Sequence, residues 1–220
     1  MKSDWINDSN IPFDYENHWN NTYLKNPVYS LGWYEKKANP SLELIERCQL
    51  DKEALLFNPG AGATTLIEDL LDLGYKNLVV NDISSIALAE LRNNLSVHKN
   101  AQVKFIVDDL TNPTELQKLK NVALWHDRAV LHFFTSEEQQ NAYFNLLKKV
   151  VMPNGFVILA QFNTDGAKKC SGLNVVNYNQ KMLQNKLGNE FIVIEAFNYT
   201  YFQPSGNTRE FIYTLFQRKA

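Results

Sequence analysis

Short aliphatic runs alternate with helical patterns from residue 54 onward, and no other feature restricts the fold as much. Residues 54–58, 77–82, 103–109, 121–127 and 156–162 are predicted as five buried strands. A helix is expected from about Ala63 to Leu73, ending at Gly74, and another over 84–95 with Ser84 as its N-cap. In "TSEEQQNAYFNLLKKVV", Thr135 or Ser136 caps a third helix, with acids in its first turn and lysines in its last; "MPNG" then turns the chain. Strands joined through helices run parallel, and right-handed crossovers put helices on both faces. The pattern therefore predicts a Rossmann-like, doubly wound α/β sheet. Near the C-terminus, "EFIVIEAFNYTYF" and "REFIYTLFQRK" flank the turn "QPSGNT" and read as a hairpin whose second strand runs antiparallel.

The pattern leaves residues 1–50 as an aromatic, partly helical cap on a main domain of 51–220, with no linker between them. Lys and Arg total 22 against 24 Asp and Glu, with no basic stripe, which argues against electrostatic capture of nucleic acid. Cys48 and Cys170 are too few for a disulfide framework and lack metal-ligand spacing, so no metal is expected. The first residues are acids and amides where a targeting peptide needs an apolar run. No stretch approaches the roughly 20 apolar residues that cross a bilayer, so a cytoplasmic protein without membrane contact is expected.

"FNPGAGATTL" stands where the first strand meets its helix. Gly60 and Gly62 let the backbone turn tightly and approach a ligand, and the helix N-terminus behind them offers N–H groups to a carboxylate or phosphate. Asp82 ends the second strand and brings its carboxylate beside this turn, where it can accept both hydroxyl protons of a ribose. Thr65 occupies the place of the third glycine of a pyrophosphate-binding turn, and no lysine follows, which disfavours a dinucleotide and excludes a P-loop. A ligand with a ribose but no phosphate suits this site. S-adenosyl-L-methionine is one, its methionyl carboxylate placed at the helix N-terminus.

In order, "FNPGAG", "VVNDIS", "VDDL" and "LWHDRAV" resemble the class I S-adenosylmethionine-dependent methyltransferases, from about Leu42 to the C-terminus. The resemblance implies a seven-stranded sheet with the last strand antiparallel, which the C-terminal hairpin matches. It also implies Gly60, Gly62 and Ala63 along the methionyl part, Asp82 on the ribose, Ile83 against the adenine, and Asp109 with Leu110 at the adenine edge. One position departs from the family: Asn58 stands where an acid is usual. Asn keeps a carbonyl acceptor but adds donors and loses a charge, which weakens its expected hold on the cofactor ammonium. A non-catalytic cofactor-binding homologue is therefore one of the readings.

"WHDRAVLHFF" follows the fourth strand, and its residues 125–128 are similar to a segment of the thiopurine and thiol methyltransferases. Ligands of a doubly wound sheet lie beyond the carboxyl ends of its strands, which is where His126, Asp127 and Arg128 fall, with His132 one helical turn further on. Methyl transfer needs alignment and exclusion of water, and a base only when the acceptor arrives protonated. The catalytic candidates are Asp127, to orient or hold cofactor, Arg128, to bind a substrate anion or thiolate, and His132 as base. His126 is a second candidate base and joins the cofactor-binding set. Trp33 and Tyr34, in a loop with Gly32, are expected at the substrate, under a lid formed by the polar stretch 163–178. The expected acceptor is N, S or O of a small molecule. A protein lysine is the alternative, because "HWNNTYLKNPVYSLGWYE" is similar to the N-terminal pattern of some short lysine methyltransferases.

Overall fold

In the computed structural model, which describes residues 13–220, the alternation resolves into one large sheet between two helical layers. In chain order the elements are α1 (Tyr15–Lys25), α2 (Asn39–Arg47), β1 (Leu55–Asn58), α3 (Leu66–Asp72), β2 (Asn77–Asp82), α4 (Ser85–Asn94), α5 (Val97–Asn100) and β3 (Val103–Val107). There follow β4 (Val122–Arg128), α6 (Glu137–Val150), β5 (Val151–Phe162), β6 (Lys169–Cys170), β7 (Leu173–Asn174), α7 (Gln180–Leu187), β8 (Phe191–Phe202) and β9 (Thr208–Arg218). The first part of the cap segment, on which the targeting-peptide expectation falls, lies outside the described residues. Among the described residues, no helix is long and apolar enough to cross a membrane.

The sheet order is β3-β2-β1-β4-β5-β9-β8. Strands β1 to β5 are parallel to one another, while β9 runs antiparallel to both β5 and β8. This is the predicted doubly wound, seven-stranded sheet with its antiparallel last strand. The winding reverses between β1 and β4, which opens a crevice at their carboxyl ends.

Side chains alternate along each strand, so each strand feeds two cores. Leu56, Val80, Leu124 and Ile158 pack with Leu44 and Ile45 of α2, Leu66 of α3 and Leu88 of α4. Their neighbours Phe57, Val79, Trp125 and Val157 pack on the other face with Tyr143 and Leu147 of α6 and Leu183 of α7. Ile45 is fully buried, so the segment before β1 contributes to the core as well as capping it.

Three boundaries differ from expectation. Helix α3 begins at Leu66, because Gly60 (φ +52°) and Gly62 (φ +56°) keep the chain turning through a backbone region foreign to a right-handed helix. "MPNG" is a bulge inside β5: pairing jumps from Val122↔Val151 to Leu124↔Phe156, with Asn154 at φ +63°. The stretch 163–178 carries the small β6–β7 hairpin. Ser136, not Thr135, caps α6, through a full capping box with Gln139.

Candidate active site

The strand alternation selects which residues reach the crevice. Asn58, Asp82, His126 and Arg128 end β1, β2 and β4 in phase with Leu56, Val80 and Leu124, and all four line one cleft. Asp127, out of phase with them, points into the opposite core.

At the β1 turn, a Cβ on Gly60 would lie 2.4 Å from Val130 Cγ2, and one on Gly62 would lie 2.2 Å from the Tyr23 hydroxyl. Both glycines are thus required twice, for the positive φ and for the close approach. Asp82 spans the turn: Gly62 N donates to its Oδ2 (2.8 Å) and Ser84 N to its Oδ1 (2.9 Å). Burial pushes its carboxyl up to about 6, against the lowering effect of these backbone donors, so it is ionised at neutral pH. Two donors leave spare lone pairs on a carboxylate that faces the cleft. Asn58 Nδ2 donates to the carbonyl of His126 (2.8 Å), while its buried Oδ1 has no partner among the described residues. An Asp here would set a carboxylate against that carbonyl, which gives the asparagine a physical reason.

Beyond Asp82, Ile83, Asp109, Leu110 and Ala63 also line the cleft. The loop after β3 is held by Asp108, which accepts from the backbone of Glu115 (2.8 Å) and Leu116 (2.9 Å), while Asp109 accepts from Thr111 N (2.7 Å). Helix α1 closes over this side. Asn20 accepts from Ser84 Oγ (2.8 Å) at the N-terminus of α4, and Tyr23 receives the indole N–H of Trp33 (3.2 Å).

The β4 end divides the four polar residues of "WHDRAVLH" into two pairs. Arg128 donates from Nε to the Tyr213 hydroxyl (3.1 Å) and from Nη1 to the Trp33 carbonyl (3.0 Å), and pairs with Glu35 (3.1 Å). Its plane faces the rings of Tyr201 (4.8 Å) and Phe211 (5.0 Å). His126 Nε2 lies 2.8 Å from Ser41 Oγ, and burial followed by the Arg128 charge lowers its pKa to about 3. Asp127 is fully buried and accepts from Tyr143 Oη (2.6 Å), Gln161 Nε2 (2.7 Å), Val130 N (3.1 Å) and Leu131 N (3.1 Å). It holds the short helical turn Leu131–Phe133 onto the sheet. His132, equally buried, lies between the rings of Phe133 and Phe162, and neither ring nitrogen has a partner among the described residues. Burial lowers its pKa to about 3 as well.

Of the sequence-predicted residues, the cleft therefore collects Asn58, Gly60, Ala63, Asp82, Ile83, Asp109, Leu110, His126, Arg128, Trp33 and Tyr34. Gly62 reaches it through its bond to Asp82. Asp127 and His132 are not brought to the cleft wall, and neither imidazole is poised to titrate near neutrality. Sequence reading passed over Glu35 and Ser41, which do line it. Ser41 had a visible signal: it shares the apolar face of α2 with Leu44 and Ile45, where a hydroxyl needs a partner. Cys170, on the β6–β7 hairpin over the cleft, has its thiol pushed up to about 11 by burial and is no nucleophile at neutral pH.

No family model matches the chain. The chain is 27% identical over 136 residues to EEF1A lysine methyltransferase 2 of Danio rerio, covering 60% of this chain and 58% of that protein. The chain thus spans a little over half the length of this curated relative. A methyltransferase from Anabaena variabilis superposes with a TM-score of 0.73 at 14% identity, covering 93% of each chain. The N-methyltransferase NodS of Bradyrhizobium japonicum superposes with a TM-score of 0.66 at 13% identity, over 92% of this chain and 100% of that one. Phosphoethanolamine N-methyltransferase 2 of Haemonchus contortus gives 0.73 at 13% identity, over 94% of this chain and 61% of its own. The fold is that of the class I methyltransferases.

Proposed function

We propose that this cleft binds S-adenosyl-L-methionine and that the protein transfers the methyl group to a small-molecule acceptor. The observation that carries the reading is the convergence of Gly60, Asp82, Asp109, His126 and Arg128, from four different strand ends, on one cleft. Asp82 accepts the ribose hydroxyl protons on its spare lone pairs. Ile83 and Leu110 hold the adenine between apolar walls, with Asp109 at its edge. Gly60 and Ala63 border the methionyl chain, with Asn58 beside them in the cleft wall. When bound, the cofactor supplies an already activated methyl group, so the protein's work is to align the acceptor and keep water out. Trp33 and Tyr34 form the acceptor side, below the β6–β7 hairpin.

A protein lysine is the second reading, favoured by the name of the Danio rerio relative. Small acceptors are favoured by the neighbour named for phosphoethanolamine, and by the cap loop that covers the cleft.

Calorimetric titration with S-adenosylhomocysteine tests the reading. One site is expected, and Asp82→Ala should weaken it roughly 100-fold, from two charge-assisted hydrogen bonds at about 1.5 kcal/mol each. An unchanged dissociation constant in the variant would remove Asp82 from the site, and no binding to the wild type would end the proposal.

A further inference from the structure

The loop 32–35 is fixed by four successive carbonyls, each held by a side chain from elsewhere. Gly32 O accepts from Gln203 (2.7 Å), Trp33 O from Arg128 (3.0 Å), Tyr34 O from the Tyr201 hydroxyl, and Glu35 O from Thr65 Oγ1 (3.1 Å). So anchored, the loop is preorganised, and it aims the Glu35 side chain into the cleft, 11% exposed. Among the described residues, the only polar partner of that carboxylate is Arg128 Nε, and the hydrogen on Nε is directed to Tyr213 instead. Glu35 therefore keeps open acceptor capacity on the acceptor side of the cleft.

Arg128 is in the opposite condition. Among the described residues its one unpartnered nitrogen is Nη2, which is sealed from solvent, so a substrate anion has no path to it. The cleft that Glu35 enters is also lined by Trp33 and, edge-on to Trp33 at 5.6 Å, by Trp19. A cleft that holds both a carboxylate and indole rings suits a cation.

Resting on the cofactor reading above, we infer that Glu35 is the catalytic residue that receives the acceptor, and that the acceptor is a primary or secondary amine on an apolar body, bound as its ammonium. The ammonium donates to Glu35, and its carbon body lies against Trp33 and Trp19. One proton then passes from nitrogen to a Glu35 carboxylate oxygen and on to water. The freed lone pair bonds the methyl carbon as the carbon–sulfur bond breaks, its electron pair staying on sulfur. Burial raises the pKa of Glu35 and the Arg128 charge opposes the rise, which makes the carboxylate a better base than a free one. Tyr201 and Tyr213, the other ionisable groups facing it, have their own pKa values raised and stay neutral.

The test uses the full chain saturated with S-adenosylhomocysteine and three probes of one shape: benzylammonium, benzoate and benzyl alcohol. Binding is read by calorimetry and tryptophan fluorescence. Benzylammonium is expected to bind best. Glu35→Gln should weaken it at least tenfold, and Glu35→Asp should restore part of the loss, with S-adenosylhomocysteine affinity within threefold of wild type in both. Tighter binding of benzoate, equal binding of benzylammonium to Glu35→Gln, or no binding of the cation would each overturn the assignment while leaving the cofactor reading intact. Failure of the wild type to take S-adenosylhomocysteine is the separate result that would bring down both.

Discussion

The carboxyl ends of β1 and β2 and the carboxyl end of β4 are equally rich in polar residues, yet they are built differently. At β1 and β2, backbone N–H groups of the glycine turn and of the start of α4 hold one acid, whose half-satisfied carboxylate faces the cleft. At β4, Asp127 is spent on four donors and Arg128 on Tyr213, Trp33 and Glu35, while the nitrogens left without a partner among the described residues, Arg128 Nη2, His126 Nδ1 and both of His132, are sealed from solvent. The first region holds open capacity for a ligand, and the second holds the walls in place. Polar residues at a strand end are thus not a measure of chemistry. What matters is whether their hydrogen-bonding capacity remains free on the side of the ligand.

The contrast breaks most easily at Asp127. Asp127→Ala leaves a tyrosine hydroxyl, an amide and two backbone N–H groups unpaired in the core, a loss of about 3–5 kcal/mol in urea unfolding. The molecules that remain folded should bind S-adenosylhomocysteine within threefold of wild type, and a large loss of affinity with normal stability would return Asp127 to the ligand. Arg128→Ala comes next, at about 2–3 kcal/mol, because it frees the cap loop and strands Glu35. Its turnover should fall while cofactor affinity holds, and unchanged turnover would assign Arg128 to the scaffold alone. The smallest effect is on pH. Asp82, raised to about 6, accepts both ribose hydroxyl protons with its charge only when ionised, because protonation turns one oxygen into a donor. Cofactor affinity should therefore be flat above pH 7 and fall roughly tenfold per pH unit well below 6. A flat profile from pH 7.5 to 5 would contradict this, and calorimetry across that range would show it.

The fold was legible from residue 54 onward because strand and helix periods differ sharply and the C-terminal hairpin has an evident turn. The β1 turn and Asp82 were legible for a related reason: their roles follow from backbone geometry at fixed places in a β-α-β unit. Residues 125–128 were harder, since composition alone groups His126, Asp127 and Arg128 together. The strand period of two separates them: His126 and Arg128 fall on one face, and Trp125 and Asp127 on the other, against Tyr143. Glu35 was not legible at all. Its position depends on the four carbonyl contacts of its loop, made by residues 30 to 171 positions away, and no local pattern announces such contacts.

A crystal structure with S-adenosylhomocysteine would put the division of labour between these strand ends to the most direct trial. Both ribose hydroxyls should lie about 2.6–3.2 Å from Asp82 oxygens, with the sulfur facing the side of the cleft formed by Glu35, His126 and Arg128, and with no ligand contact to Asp127 or His132. A nucleoside bound elsewhere, or one whose ribose turns away from Asp82, would contradict it.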